Sequence, residues 1–113
     1  MSKVDIHNYK QRIVVALRKL NKSDIPEKAK KDILDFYDYS LAKGISGPRI
    51  AKYIYNLVMA AELLGKSFTE TDKKDMLKLV NIIMRKDNWS EHTKHDFNVV
   101  IKRFYKWLEG IEA

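Results

Sequence analysis

SEHTKHDFNVVIKRFYKWLEG, residues 90–110, decides how this chain is read. Ser90 is a helix-capping residue, because its hydroxyl can accept a free backbone N–H of the first turn. Gly110 is a residue type that ends helices. Between them Phe97, Ile101, Phe104 and Leu108 recur at spacings of three and four, with Val100 and Trp107 flanking. That period lays one apolar stripe along a helix. Projected at about 100° per residue, Glu91, His95, Asn98, Lys102 and Lys106 share an arc facing away from the stripe, with His92 and Arg103 at its edge. The stretch is thus a helix with one face for a core and another that is basic and polar.

The same reasoning carried upstream yields four more helices. Over residues 5–20, Ile6, Tyr9, Ile13, Leu17 and Leu20 form one stripe, which NKSD at 21–24 breaks. Residues 26–43 follow, capped by Ser23 or Asp24, with Pro26 in the first turn, where its missing N–H costs nothing. Its inward residues are Ala29, Ile33, Phe36, Tyr37 and Leu41, and Gly44 stops it. Ser46 caps a third helix that carries Pro48 in its first turn and a stripe of Ile50, Ile54, Leu57, Ala61 and Leu64, ending at Gly65. Thr71 caps a fourth, with Asp72 and Asp75 at the positive end of its dipole. Met76, Leu79, Val80 and Ile83 face inward, and residues 86–88 close it.

An offset of 44 residues aligns Ser46 with Ser90, Tyr53 with Phe97, Leu57 with Ile101 and Leu64 with Leu108. Two units are too few for a solenoid, so two packed helical hairpins are expected. With 113 residues there is room for one core. Only 4 Gly and 2 Pro interrupt the chain, so the class is an all-α bundle of about five helices. The absence of cysteine excludes disulfides and thiolate zinc sites. No apolar run approaches the roughly 20 residues of a membrane span, and MSKVDIHNYK lacks the apolar core of a signal peptide. A cytoplasmic protein without cofactors is expected.

The net charge is +7 and it is segregated. Residues 1–22 hold six basic groups against Asp5, and residues 40–61 hold Lys43, Arg49 and Lys52 with no acid, whereas residues 23–39 are net acidic. Segregated positive charge points to an anionic partner such as nucleic acid. On the third helix Arg49, Lys52, Tyr53 and Asn56 form an arc opposite the core stripe, like the arc of the fifth. Lys and Arg neutralise phosphates, Asn, His and Arg reach base edges in a major groove wide enough for a helix, and a Ser-capped N-terminus offers N–H groups to a phosphate.

GISGPRIAKYIYNLVMAAELLGK and WSEHTKHDFNVVIKRFYKWLEG together resemble the N-terminal core-binding domain of the tyrosine recombinases, the phage integrase family, and within it the archaeal integrase and Xer-like members. The residues that carry the likeness are Gly44, Ile45, Ser46, Arg49 and Tyr53 in the first hairpin, and Ser90, Thr93, Phe97, Phe104, Trp107 and Leu108 in the second. The likeness covers about residues 24–110 and leaves residues 1–22 as an extra N-terminal helix, which could pack on the bundle or contact DNA through Lys10, Arg12, Arg18 and Lys19. The resemblance implies a SAM-like bundle of two hairpins forming half of a clamp on double-stranded DNA, the second helix of each hairpin toward the major groove. The expected DNA contacts are Ser46, Arg49, Lys52, Tyr53, Asn56, Ser90, Thr93, Lys94, His95, Asn98, Lys102, Arg103 and Lys106. It also implies a monomeric isolated domain and a parent recombinase that is tetrameric on DNA.

The family's catalytic set of Arg, His-x-x-Arg and nucleophilic Tyr is not matched here: His7 is followed three residues on by Lys10, His92 by His95 and His95 by Asn98. The expectation is a domain of a longer recombinase that does not cut DNA by itself. Three other readings compete. Glu91, His92 and His95 share a helical turn and could hold a metal, but no third strong ligand stands out. A SAM-like bundle can be a protein-interaction module without DNA binding, using Tyr37, Tyr39, Tyr55 or Trp89. Single strands or RNA could stack on Tyr53 and His95.

Overall fold

Helix α3, Gly47–Leu64, touches every other α-helix of the computed structural model. The structure describes the backbone of residues 3–112 and the side chains of residues 10–111. In chain order the helices are α1, Lys3–Lys22; α2, Glu27–Ala42; α3; a 3-10 turn, Phe68–Glu70; α4, Lys73–Met84; and α5, Glu91–Glu112. No strand occurs among the described residues. The molecule is an all-α bundle. Consecutive helices pack in pairs, α2 on α3 and α4 on α5, and α3 and α5 join the pairs.

Helix α3 is central because it is apolar on more than one side. Beyond the expected Ile50, Ile54, Leu57 and Ala61, it buries Ala51, Tyr53, Val58 and Ala60. Helix α1 takes the far side with Ala16 and Leu20, flanked by Ile13 and Leu17. The open question about α1 is answered in part: it packs on the bundle, and the Lys19 ammonium sits 5.5 Å over the Tyr55 ring. The expected inward residues Ile6 and Tyr9 lie outside the described side chains. On the other side of α3 an aromatic cluster ties the pairs together. The Phe104 ring of α5 meets Phe36 of α2 at 5.3 Å and Phe68 of the 3-10 turn at 4.6 Å, both edge-on. Such pairs add roughly 0.5–1.5 kcal/mol to the area they bury.

Local chemistry explains where the helices depart from expectation. Helix α2 has Pro26 as its N-cap, and neither Ser23 nor Asp24 caps it; the Ser23 hydroxyl instead accepts the Ile25 N–H at 3.4 Å. The buried face of α2 is Ala29, Ile33, Phe36 and Ser40, which turns the neighbouring Leu41 outward to 47% exposure and leaves Tyr37 half-buried. Asp32 is buried too, paired with Lys28 at 2.9 Å. Ser46 occupies the N-cap of α3, but its hydroxyl caps nothing; Pro48 removes one of the two N–H groups it could reach. Thr71 does not cap α4. Its hydroxyl donates to the Phe68 carbonyl at 2.6 Å and lies 2.8 Å from the Tyr105 hydroxyl. Asp72 caps α4 instead, in a reciprocal box with Asp75. Gly110 does not end α5, which continues to Glu112. Gly65 does end α3: its φ of 68° is left-handed, a conformation that costs a residue with a Cβ.

Candidate nucleic-acid interface

Helices α3 and α5 lie side by side, and each carries exposed cations. Arg49 and Lys52 of α3 are exposed, and Asn56 is half-buried. On α5 His95, Lys102, Arg103 and Lys106 are exposed, and Asn98 is half-buried. Arg49, Lys52 and Asn56 line a cleft whose other wall is Asp96, Val99 and Val100 of α5. Asp96 is the acid within it and lies 3.3 Å from the exposed His92 ring. One turn further along α5, Arg103 and Lys106 line a second cleft shared with α2.

Tyr53 stands between the two clefts and differs from its expected role. It was expected on the exposed arc of α3 but is only 6% exposed, its ring stacked 5.8 Å from Phe36. Its hydroxyl reaches the seam between α3 and α5, and the Arg49 guanidinium lies 5.9 Å over its ring. The guanidinium of Arg49 donates to the hydroxyl at 3.1 Å and that of Arg103 at 2.9 Å. Tyr53 therefore cannot offer its ring to a base; it holds two arginines from two helices at one point. Their donor nitrogens lie at most about 6 Å apart, where two unit charges in water repel by roughly 0.7 kcal/mol. Among the described residues neither guanidinium pairs with a carboxylate. Two convergent arginines without a counter-ion present forks of N–H donors that match phosphate oxygens.

Lys94 also departs from expectation. It is 8% exposed, and its ammonium donates to the Met84 carbonyl at 2.9 Å. That carbonyl is at the C-terminus of α4, where a cation satisfies an orphan acceptor and the helix dipole. Lys94 is thus a structural clamp between α4 and α5 and is turned away from the seam. Ser90 and Thr93 are exposed, and the Ser90 hydroxyl caps α5 by accepting the Thr93 N–H at 3.1 Å, as expected. Ser46 is exposed at the start of α3.

Some of the surface cations are paired and others are not. On α2 the lysines engage their own helix: Lys28 with Asp32, Lys31 with Asp35 at 3.0 Å, and Lys30 with Glu27 at 3.6 Å. Lys66 binds Asp75 at 3.1 Å at the start of α4. Arg49 and Lys52 of α3 and Lys102, Arg103 and Lys106 of α5 have no such partner among the described residues, and neither do Lys73, Lys74 and Lys78 of α4. Sequence reasoning did not count Tyr39, Lys43 and Trp107 among the DNA contacts, and the packing of α2 on α5 brings them together beside the seam. Among the described residues no group of three or more His, Asp or Glu could hold a metal ion, and no helix is long and apolar enough to cross a membrane.

No protein-family model matches the chain, and neither a curated protein nor a solved structure matches it at a significant level.

Proposed function

We propose that this chain is a double-stranded-DNA-binding domain, the core-binding domain of a site-specific tyrosine recombinase, and that it has no catalytic activity of its own. The observation that carries the reading is a pair of arginines, Arg49 and Arg103, held together by the Tyr53 hydroxyl at the α3–α5 seam and without an ion pair among the described residues. Around them Lys52, Lys102 and Lys106 extend the same charge along two neighbouring helices. The arginines grip the phosphate backbone and set the register. Asn56, His95 and Asn98 then face base edges. The sequence likeness to the recombinase family selects the same two helices. In this reading the chain acts in the cytoplasm as a monomer and its parent as a tetramer on DNA.

Fluorescence anisotropy with a labelled random-sequence duplex tests this. Arg49→Ala and Arg103→Ala should each weaken binding at least several-fold, and affinity should fall steeply with added salt, because displaced counter-ions drive phosphate binding. Affinity that neither salt nor the arginine substitutions change would exclude the seam and favour a protein-interaction module. Tighter binding to the single strand than to the duplex would move the reading to single-strand recognition.

A further inference from the structure

The cleft between α2, α3 and α5 has a composition that backbone contact alone does not require. It encloses about 500 Å³, within the range of small-ligand sites. Its walls are the aromatic rings of Phe36, Tyr39, Tyr53 and Trp107. Its charged lining residues are Lys43, Arg103 and Lys106, with no carboxylate among them. Phe36 and Tyr53 are buried and form the floor, whereas Tyr39 is 41% exposed and Trp107 is half-buried. The Tyr39 and Trp107 rings lie 6.0 Å apart and are inclined by 36°. The Lys43 ammonium sits 5.7 Å over the Tyr39 ring. An apolar protein ligand would have no use for three cations on the rim. A nucleotide uses both parts: a flat base for aromatic faces and a phosphate for the cations.

We infer that this cleft takes up one unpaired nucleotide of the bound DNA, its base against Tyr39 and Trp107 and its phosphate toward Arg103, Lys43 and Lys106. The inference rests on the DNA-binding reading. It is favoured over an acidic peptide because the cleft is continuous with the α3–α5 seam: Tyr53 lines both, and Arg103 reaches from the cleft to the hydroxyl that Arg49 also holds. A strand whose phosphates lie on the seam therefore passes the mouth of the cleft. A base that leaves the stack there exchanges its neighbours for aromatic rings. The domain would then prefer distorted duplex, such as DNA with a strand partly unpaired.

The test compares a fully paired duplex with the same duplex carrying one bulged nucleotide. A Trp89→Phe background leaves Trp107 as the sole tryptophan. The bulged duplex should bind about tenfold tighter, the scale of one stacked base, and should quench Trp107. Tyr39→Leu should abolish that preference and Tyr39→Phe should keep it, with circular dichroism confirming that both variants fold. Equal affinity for the two duplexes with unchanged Trp107 emission overturns the cleft while leaving the duplex reading intact. Failure to bind either duplex overturns both. Equal quenching by an Asp- and Glu-rich peptide reassigns the cleft to a protein ligand.

Discussion

Lys94 and Lys102 are two lysines of one helix with opposite fates. Lys102 is exposed, whereas Lys94 is folded under α4 with its ammonium on the Met84 carbonyl. Lys94→Ala should lower stability by roughly 1.5–3 kcal/mol, the range for a hydrogen bond to a charged group, and leave duplex affinity unchanged. Lys102→Ala should weaken the duplex and leave the melting temperature alone. Thermal melts and anisotropy on the two variants separate the roles; a DNA defect in Lys94→Ala at full occupancy of the folded state would contradict the assignment. Periodicity already separates them: Lys94 lies three residues before Phe97 and seven before Ile101, beside the apolar stripe, while Lys102 lies on the outward arc; a long aliphatic stem lets Lys94 bury its length and still place its charge on a carbonyl. Tyr53 was legible by another route. The 44-residue offset pairs it with Phe97, a core residue, and both are buried. The helical arc alone put it on the surface, since an arc does not register how wide a central helix's apolar side becomes.

At the scale of elements, the helices themselves were readable from stripes and caps, while their ends were not. Ser90 caps α5 through its hydroxyl, but Ser46, in the equivalent place, does not. Ser90 takes the N–H three residues on, a donor that Arg49 also offers Ser46, so the missing N–H of Pro48 does not account for the difference. The start of α4 went to Asp72 because the Thr71 hydroxyl is taken by Phe68 and Tyr105, and no local pattern reveals a contact 34 positions away. The box at α4 has a consequence for pH. The Asp75 carboxylate accepts the Asp72 N–H at 3.0 Å and the Lys66 ammonium at 3.1 Å, and these hold its pKa below the ordinary 3.8. On acidification the unfolded chain protonates at this position first, so its stabilisation is complete above about pH 4 and is lost as the pH falls through the lower folded value. Melting temperatures of the parent and Asp75→Asn should therefore differ at pH 6 and draw together as the pH falls below about 4. A difference that persists unchanged in acid would show that the carboxylate charge is not what matters.

For the molecule as a whole, one aromatic cluster joins what the chain builds as two pairs. Phe104 is fully buried where α2, α5 and the 3-10 turn meet. Phe104→Ala should cost roughly 3–5 kcal/mol, much of the stability of a domain this size; a variant that melts like the parent would contradict the core. The fold class was legible because apolar spacing and the scarcity of Gly and Pro all favour helices. Tyr39, Lys43 and Trp107 were not legible as a group, since only the packing of α2 on α5 joins them. The seam also sets a salt dependence. Arg49, Lys52, Lys102, Arg103 and Lys106 can each meet a phosphate, so log K should fall with log salt with a slope of about −3 to −4.5. A slope near zero would mean that these cations do not touch the backbone.

Amide chemical shifts of the labelled domain, titrated with a random-sequence duplex at low and raised salt, would show whether α3 and α5 grip duplex DNA. The shifts should concentrate on residues 46–56 and 95–106 and fade as salt rises. Shifts that are absent, that scatter over the bundle, or that gather on the outer faces of α1 and α4 would contradict that grip.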